Sequence, residues 1–486
     1  MSAARDGAKS VQDYIDEMPR WADGTGVPSV PLTDMQWRIW GLAVAGKFFE
    51  GLVVFMTGVA IPLIGAEFAM TAAEHGVVGA ASLFGILIGA LVLGGLADTF
   101  GRKPMFIVEM IIFMLFLVLA ALSPSYFWLV VALFGIGVAL GCDYPTAHLI
   151  ISESIPSAVR GRLVLSAFGF QAVGALTGTI IGYVILTIDP SVGAWRWMYA
   201  TAIAPALLVV IGRFYVTESA QWLVARGRLI DARSETMRLL TRNPPYPKDI
   251  ALALPGPRSA SEPQDGYAAL LKPSNRRATI LAAVPWFLQD LSTYGIGIFT
   301  PTILAATFGH QTEHAHGTAA LVHQEILAAK GAGLIDVLLI VGIIAAVLLA
   351  DRIGRIKLQI VGFIGCAVGL LLAAVSADFS APVRTLLVLA GFMLFNFMTN
   401  VGPNAQTYLL AGEVFPTHIR AKGAGMAAAF AKIGAVLTAF FFPIVIADIG
   451  TQALLYALVV ASLAGAAVTY LFRIETMGAN LEKTGR

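Results

Sequence analysis

Gly94-Gly95-Leu96-Ala97-Asp98-Thr99-Phe100-Gly101-Arg102-Lys103 and Ala350-Asp351-Arg352-Ile353-Gly354-Arg355-Ile356-Lys357 are two copies of one phrase, one in each half of the chain. In both, an apolar run ends in Asp, a glycine follows, and an arginine comes next. Glycine permits a tight turn between two helices, and the Asp and Arg are suited to pair with a neighbouring helix end. A second phrase also recurs, Glu153-Ser154-Ile155-Pro156-Ser157-Ala158-Val159-Arg160 against Glu413-Val414-Phe415-Pro416-Thr417-His418-Ile419-Arg420. One such loop would be an ordinary short charged connection. Two matched pairs make an internal repeat.

The segments between these phrases are apolar. Of 486 residues, 57% are hydrophobic and only 13% charged, with a mean hydropathy of +0.78. A soluble domain is about half apolar and about a quarter charged, so the excess must face lipid. A spanning helix needs about 20 mostly apolar residues. Runs of that kind fall near 37–66, 75–97, 104–122, 126–152, 162–188 and 195–216, then near 278–306, 331–350, 356–376, 382–411, 421–447 and 450–473. The expected fold is all-α integral membrane, with twelve transmembrane helices in two six-helix pseudo-symmetric bundles.

The domain plan follows. Residues 1–36 form an N-terminal tail, 37–216 the first bundle, 217–276 a central loop with short helices, 277–473 the second bundle, and 474–486 a C-terminal tail. The tail reads as solvent-facing, with no secretory signal. Arg102, Lys103, Arg160, Arg162, the central loop, Arg352, Arg355, Lys357, Arg420 and Lys422 all fall on one side, against little more than Arg196, Lys330 and Arg384 on the other. The richer side is expected to be cytoplasmic, which puts both termini in the cytoplasm of a plasma or bacterial inner membrane.

Several function classes drop out. A net charge of +2 offers no nucleic-acid footprint. Cys142 and Cys366 lie in apolar stretches and suggest neither a disulfide nor a zinc site. His310, His314, His316 and His323 lack a carboxylate frame beyond Glu313 and Glu325, so no metal is expected. No P-loop, nucleophile–base pair or cofactor motif is present, which argues against an ATP-driven pump and against an enzyme.

The repeated A-D-x-x-G-R phrase, with E-x-x-P-x-x-x-R after the fourth span, resembles the major facilitator superfamily. Glu218-Ser219-Ala220-Gln221-Trp222-Leu223 after the sixth span resembles its sugar-porter-like branch. The resemblance implies alternating access, with Asp98, Arg102, Glu153, Arg160, Asp351, Arg355, Glu413 and Arg420 as gating groups that break and re-form contacts. In such carriers the substrate site lies at midplane between the repeats.

Ionisable groups inside a span cost at least about 2.5–3.5 kcal/mol each and are the default functional candidates. They are Glu50, Glu109, Asp143, Asp290 and Lys432, with Lys47 nearer an end. Trp286, Asp290 and Tyr294 are four apart and share a helix face. Gln171 and Lys432 hold nearly corresponding places in the two halves, as do Glu50 and Asp290. For Glu109 a structural ion pair is the expected role.

D-Y-P in the fourth span, Gln171, W-x-x-x-D-x-x-x-Y in the seventh, G-P-N in the tenth and K-I-G-A in the eleventh resemble the phosphate:proton symporters. The resemblance implies a substrate site of Asp143, Tyr144, Gln171, Trp286, Asp290, Tyr294, Asn404 and Lys432, with Glu50, Asp290 and Asp143 handling protons. One departure stands out. That family carries D-x-x-D in its first span, where this chain has Phe48-Phe49-Glu50-Gly51-Leu52-Val53.

Counting Glu50, Asp143 and Asp290 against Lys432 gives a negative chamber that must take up protons when an anion enters. Proton-coupled symport of a small anion is expected, with inorganic phosphate leading. A carrier of a sugar, sugar acid or other small organic acid is the alternative. A transporter-like nutrient receptor would need a larger cytoplasmic signalling domain than 217–276. The expected partners are a small anionic or polar substrate, protons and the lipid bilayer, for a monomer with no cofactor.

Overall fold

The computed structural model describes residues 9–17, 32–93, 96–242, 250–253, 267–309, 318–416 and 419–476. Twelve long helices run through the described residues: α1 (Asp34–Phe68), α2 (Ala72–Ile88, extended by a π turn over Gly89–Leu93), α3 (Arg102–Ala121), α4 (Tyr126–Ser154), α5 (Ser157–Ile188), α6 (Trp195–Phe214), α7 (Pro273–Gly309), α8 (Thr318–Ile353), α9 (Arg355–Val375), α10 (Ala381–Val401, continued by Pro403–Glu413), α11 (Arg420–Ile449) and α12 (Thr451–Leu471). Each expected span finds its helix. Eleven helices are apolar and long enough to cross a membrane on those grounds alone. The other is α7, whose polar residues belong to the site described below.

Local chemistry sets the ends. Thr33 and Thr71 cap α1 and α2 through reciprocal bonds with Gln36 and Glu74. Gly101 and Gly354 enter α3 and α9 with φ of 107° and 98°, a region that other residues avoid. Gly402 interrupts α10, and Pro403 restarts it as a first-turn residue.

The two halves repeat one packing scheme. α1 packs on α5 as α7 packs on α11, α2 on α4 as α8 on α10, and α3 on α6 as α9 on α12. Between the halves, α2 meets α11 and α5 meets α8, pairs that exchange under the repeat, while α1 meets α7 near the axis. Leu115, Leu208, Leu371 and Val460, on α3, α6, α9 and α12, point out of the bundle as a lipid-facing surface.

Glycines bring the site helices together. A Cβ on Gly51 would come 2.0 Å from the Gln171 carbonyl oxygen, and one on Gly174 would come 1.9 Å from that of Phe48. That approach sets Gln171 of α5 beside Glu50 of α1.

The N-terminal tail departs from expectation. Val11–Asp16 is a short helix with Val11 and Ile15 buried, not a solvent-facing strand of chain. Its apolar side covers Ile155 and Ile250 at the loop end of the first bundle. The Asp16 carboxylate accepts from the Ser157 backbone N–H at 2.7 Å and from the Ser157 hydroxyl at 2.8 Å. It thereby caps α5, which has no side-chain cap of its own.

Candidate functional site

At the centre, α11 presents Lys432 and α7 presents Asp290 and Tyr294 to α1 and α5. The Lys432 ammonium lies 3.3 Å from Asp290 Oδ2 and 3.3 Å from Glu50 Oε1. It donates to the Tyr294 hydroxyl at 2.6 Å and stands 4.3 Å from the centre of that ring. Tyr294 donates onward to Glu50 Oε1 at 2.8 Å. Gln171 donates to the Tyr294 oxygen at 2.9 Å and to Glu50 Oε1 at 3.4 Å. Four helices from both halves thus meet in one polar network.

Lys47 completes it. Its ammonium is 2.5 Å from Glu50 Oε2 and 5.5 Å from the centre of the Phe168 ring. The sequence placed Lys47 nearer a helix end. One helical turn before Glu50, it is part of the cluster. The charge balance therefore changes: Lys47 and Lys432 offset Glu50 and Asp290, and the cluster is near neutral rather than negative.

Trp286 is buried on the same α7 face, its edge toward the Tyr408 ring at 6.2 Å. Tyr408 in turn stacks on Phe168 of α5 at 4.7 Å, and its hydroxyl lies 3.3 Å from His148 Nδ1 of α4. These rings join the halves on the loop side of Lys432.

Two expected site residues lie elsewhere. Asp143 Oδ1 is 2.5 Å from Arg213 Nη2, and Glu109 Oε1 is 3.2 Å from Arg213 Nη1. Arg213 is fully buried, donates to the Phe106 and Leu42 carbonyls as well, and lies over the Phe106 ring. Asp143 is thus matched inside the first bundle and drops out of the charge count at Lys432. Arg213 sits in the last turn of α6, and nothing in the local sequence signals its reach to Asp143 in α4. Asn404 donates to Asn400 Oδ1 at 2.6 Å, one turn back across the α10 break, rather than reaching Lys432. The side chains of Tyr144, Asp98 and Asp351 lie outside the described residues, as do His310, His314 and His316.

The loop phrases are matched contact for contact. Arg102 bonds Glu153 at 3.1 Å and Arg355 bonds Glu413 at 3.3 Å. Arg160 donates to the Ile155 carbonyl and Arg420 to the Phe415 carbonyl, at 3.2 and 3.1 Å. A further repeat was hidden in the sequence. Glu218 accepts from the backbone N–H of Arg102 at 3.0 Å and of Ser219 at 2.8 Å. Glu475 accepts from those of Arg355 and Thr476, both at 3.2 Å. Burial raises the Glu218 carboxyl above its ordinary value, against the pull of the Ser219, Lys103 and Arg102 amides.

Similar proteins place this architecture. Residues 39–486 match the family model described as "Sugar (and other) transporter". The putative metabolite transport protein YaaU of Escherichia coli is 27% identical, across 92% of this chain and 93% of its own. The niacin transporter NiaP of Acinetobacter baylyi is 28% identical, across 94% and 98%. The repressible high-affinity phosphate permease of Neurospora crassa is 27% identical, across 73% and 67%. Among solved structures, the partially occluded inward-open xylose transporter XylE of E. coli superposes with a TM-score of 0.72 at 19% identity, across 91% of this chain and 99% of its own. A chain of twelve paired helices with these loops, matched by that model from α1 onward, belongs to the sugar (and other) transporter family within the major facilitator superfamily.

Proposed function

We propose that this protein carries a small anion across the membrane together with a proton, by alternating access, with the loop end facing the cytoplasm. The observation that carries the reading is Lys432, an ammonium held at midplane between Asp290 of its own half and Glu50 of the other. Lys432 and Lys47 supply the attraction. Tyr294 and Gln171 supply hydrogen bonds, and Trp286 walls the chamber.

The cluster is near neutral when empty, so an entering anion leaves unbalanced negative charge in a low-dielectric chamber, which is costly. A proton accompanying the anion removes that cost, and Glu50 and Asp290 are the acids in contact with Lys432. Arg102–Glu153 and Arg355–Glu413, at equivalent loops, serve as the contacts that change when the halves rock. Asp143, paired with Arg213, takes part only through the packing of the first bundle.

Inorganic phosphate leads, because the spaced matches in α4, α5, α7 and α11 are those of phosphate carriers and a phosphate permease is among the relatives. A small organic acid is the second reading. The Phe168 ring beside Lys47, with Tyr408 and Trp286 following it in turn, favours it, as does the niacin-transporting relative.

The test is uptake of labelled phosphate, nicotinate and a hexuronate into proteoliposomes, with and without an imposed pH gradient. Gradient-driven accumulation of phosphate or nicotinate is expected. Accumulation of none of them, or accumulation indifferent to the gradient, defeats the reading.

A further inference from the structure

Two acids of α8, Asp336 and Glu325, belong to neither cluster, and Asp336 is the one that bridges the halves. Asp336 is buried, and its carboxyl has two partners. Oδ2 is 2.8 Å from the Thr179 hydroxyl of α5, and Oδ1 is 3.3 Å from Asn396 Nδ2 of α10. Thr179 lies in the first half and Asp336 in the second, so the bond crosses between the halves. It is eight residues beyond Gln171, about 12 Å further from the loop end.

The groups around Asp336 are neutral. α5 brings Thr179, and α10 brings Asn396 and Asn400, the latter donating to the Leu339 carbonyl. Of the ionisable groups of α1 and α7, Lys47, Glu50 and Asp290 are engaged in the Lys432 cluster, Glu67 pairs with Arg196 at the far end, and Asp34, Arg38, Arg276 and Arg277 stand at the loop ends. Those of α9, Arg355 and Lys357, stand at its loop end. On α8 itself, Lys330 is exposed, and Glu325 is buried three turns toward the far end with Oε2 unpartnered. Among the described residues no cation pairs with Asp336.

The hydrogen bonds accommodate the acid as well as the anion, so burial without a counter-charge decides between them. Thr179 Oγ1 has a single proton and two oxygens in reach, Asp336 Oδ2 and the Ala175 carbonyl at 3.2 Å. If the hydroxyl donates to Ala175, its lone pair accepts a proton carried on Asp336. An ionised carboxylate sealed there without a counter-charge would cost several kcal/mol.

We propose that Asp336 is a proton-binding site that must be occupied for the far end of the carrier to close. When the α5–α8 contact parts, the carboxyl meets far-side water and exchanges a proton with it. When the contact shuts, burial between Thr179 and Asn396 without a counter-charge favours the acid form. Far-side acidity then favours closure. The inference rests on alternating access but not on which anion is carried, so its test uses no substrate.

The test has two readouts on the full chain in proteoliposomes. A cysteine at Gly333, whose added Cβ would meet only the Thr179 methyl at 3.8 Å, reports opening through its reaction with a membrane-impermeant maleimide from the far side. With Asp336 present, labelling should rise at least about tenfold as far-side pH goes from about 5 to about 8, as a single titrating site commands. With Asp336→Asn it should stay low and flat, and Asp336→Glu should restore the rise. In the infrared, a carboxylic acid C=O band at low pH should vanish in Asp336→Asn and persist in Glu50→Gln. Labelling that ignores pH in the parent, pH-dependent labelling that survives in Asp336→Asn, or an unchanged acid band would each overturn the proposal. Should Asp336→Asn not fold, Thr179→Val keeps the acid and removes its partner. It should open at lower pH than the parent, and an unaltered midpoint counts against the idea equally.

Discussion

Lys432 Nζ lies 3.3 Å from Glu50 Oε1, and this contact joins the eleventh helix to the first across the two halves of the molecule. The same ammonium is 3.3 Å from Asp290, so both halves compete for one cation. Any movement that separates the halves must rearrange that contest, which makes Lys432 the most informative single residue to alter.

Replacing Lys432 with alanine leaves Glu50 and Asp290 without one of the two cations of the cluster and, on the proposed function, removes the principal anion attraction. Losing one partner of a buried charge pair costs about 2–5 kcal/mol, so anion uptake should fall by at least about thirtyfold. Initial rates of labelled phosphate and nicotinate uptake provide the check.

Glu50→Gln keeps the shape of the side chain and the bond from Tyr294 while removing the charge. Exchange of labelled for unlabelled substrate should continue, and accumulation driven by a pH gradient should be lost. In the parent, accumulation should grow as the far side is acidified. Comparing counterflow with gradient-driven uptake separates the two behaviours.

Arg213→Met strands Asp143 and Glu109 in the interior of the first bundle. Breaking a buried pair in this way typically costs about 3–5 kcal/mol, so the melting temperature in detergent should drop. Adding Asp143→Asn and Glu109→Gln should recover part of the loss. If Arg213→Met melts as the parent does, the contacts at Arg213 are of little consequence to the fold.

Glu218 supplies a pH signature outside the membrane. Its carboxyl is raised by burial, so the folded state holds its proton more tightly than the unfolded chain does. The stabilisation from this group is complete below the unfolded value of about 4.3 and is lost as pH rises through the folded one. Thermal stability should therefore fall over the mildly acidic range more in the parent than in Glu218→Gln. Matched melting curves across that range measure the difference.

Much of this was legible in the sequence, for a physical reason. Lipid demands long apolar runs, so the helices announce themselves, and an ionisable residue inside such a run stands out. That is how Lys432, Asp290 and Glu50 are found, and the four-residue spacing of α7 adds Trp286 and Tyr294. Pairing is harder to read. Nothing local says that Arg213, at the end of α6, reaches Asp143 in α4, or that Asn404 turns back to Asn400. Lys47 looks peripheral until Glu50, one turn on, is seen to draw it inward. Asp336 meets the same rule as the other acids, within Gly333-Leu334-Ile335-Asp336-Val337-Leu338, but no motif surrounds it. The tail misled because its apolar residues, Val11, Tyr14 and Ile15, are too few to signal a docking helix alone.

The caps by Glu218 and Glu475 have a consequence for how the protein is made. Each clasps the glycine turn of its own half, and each lies just past the sixth helix of that half. The first bundle can accordingly fasten its own glycine turn once residue 218 has emerged, before any of the second has been inserted. The second fastens only when residue 475 arrives. Biogenesis can thus proceed as two successive self-locking assemblies, with the midplane cluster formed last, when one finished module meets the other.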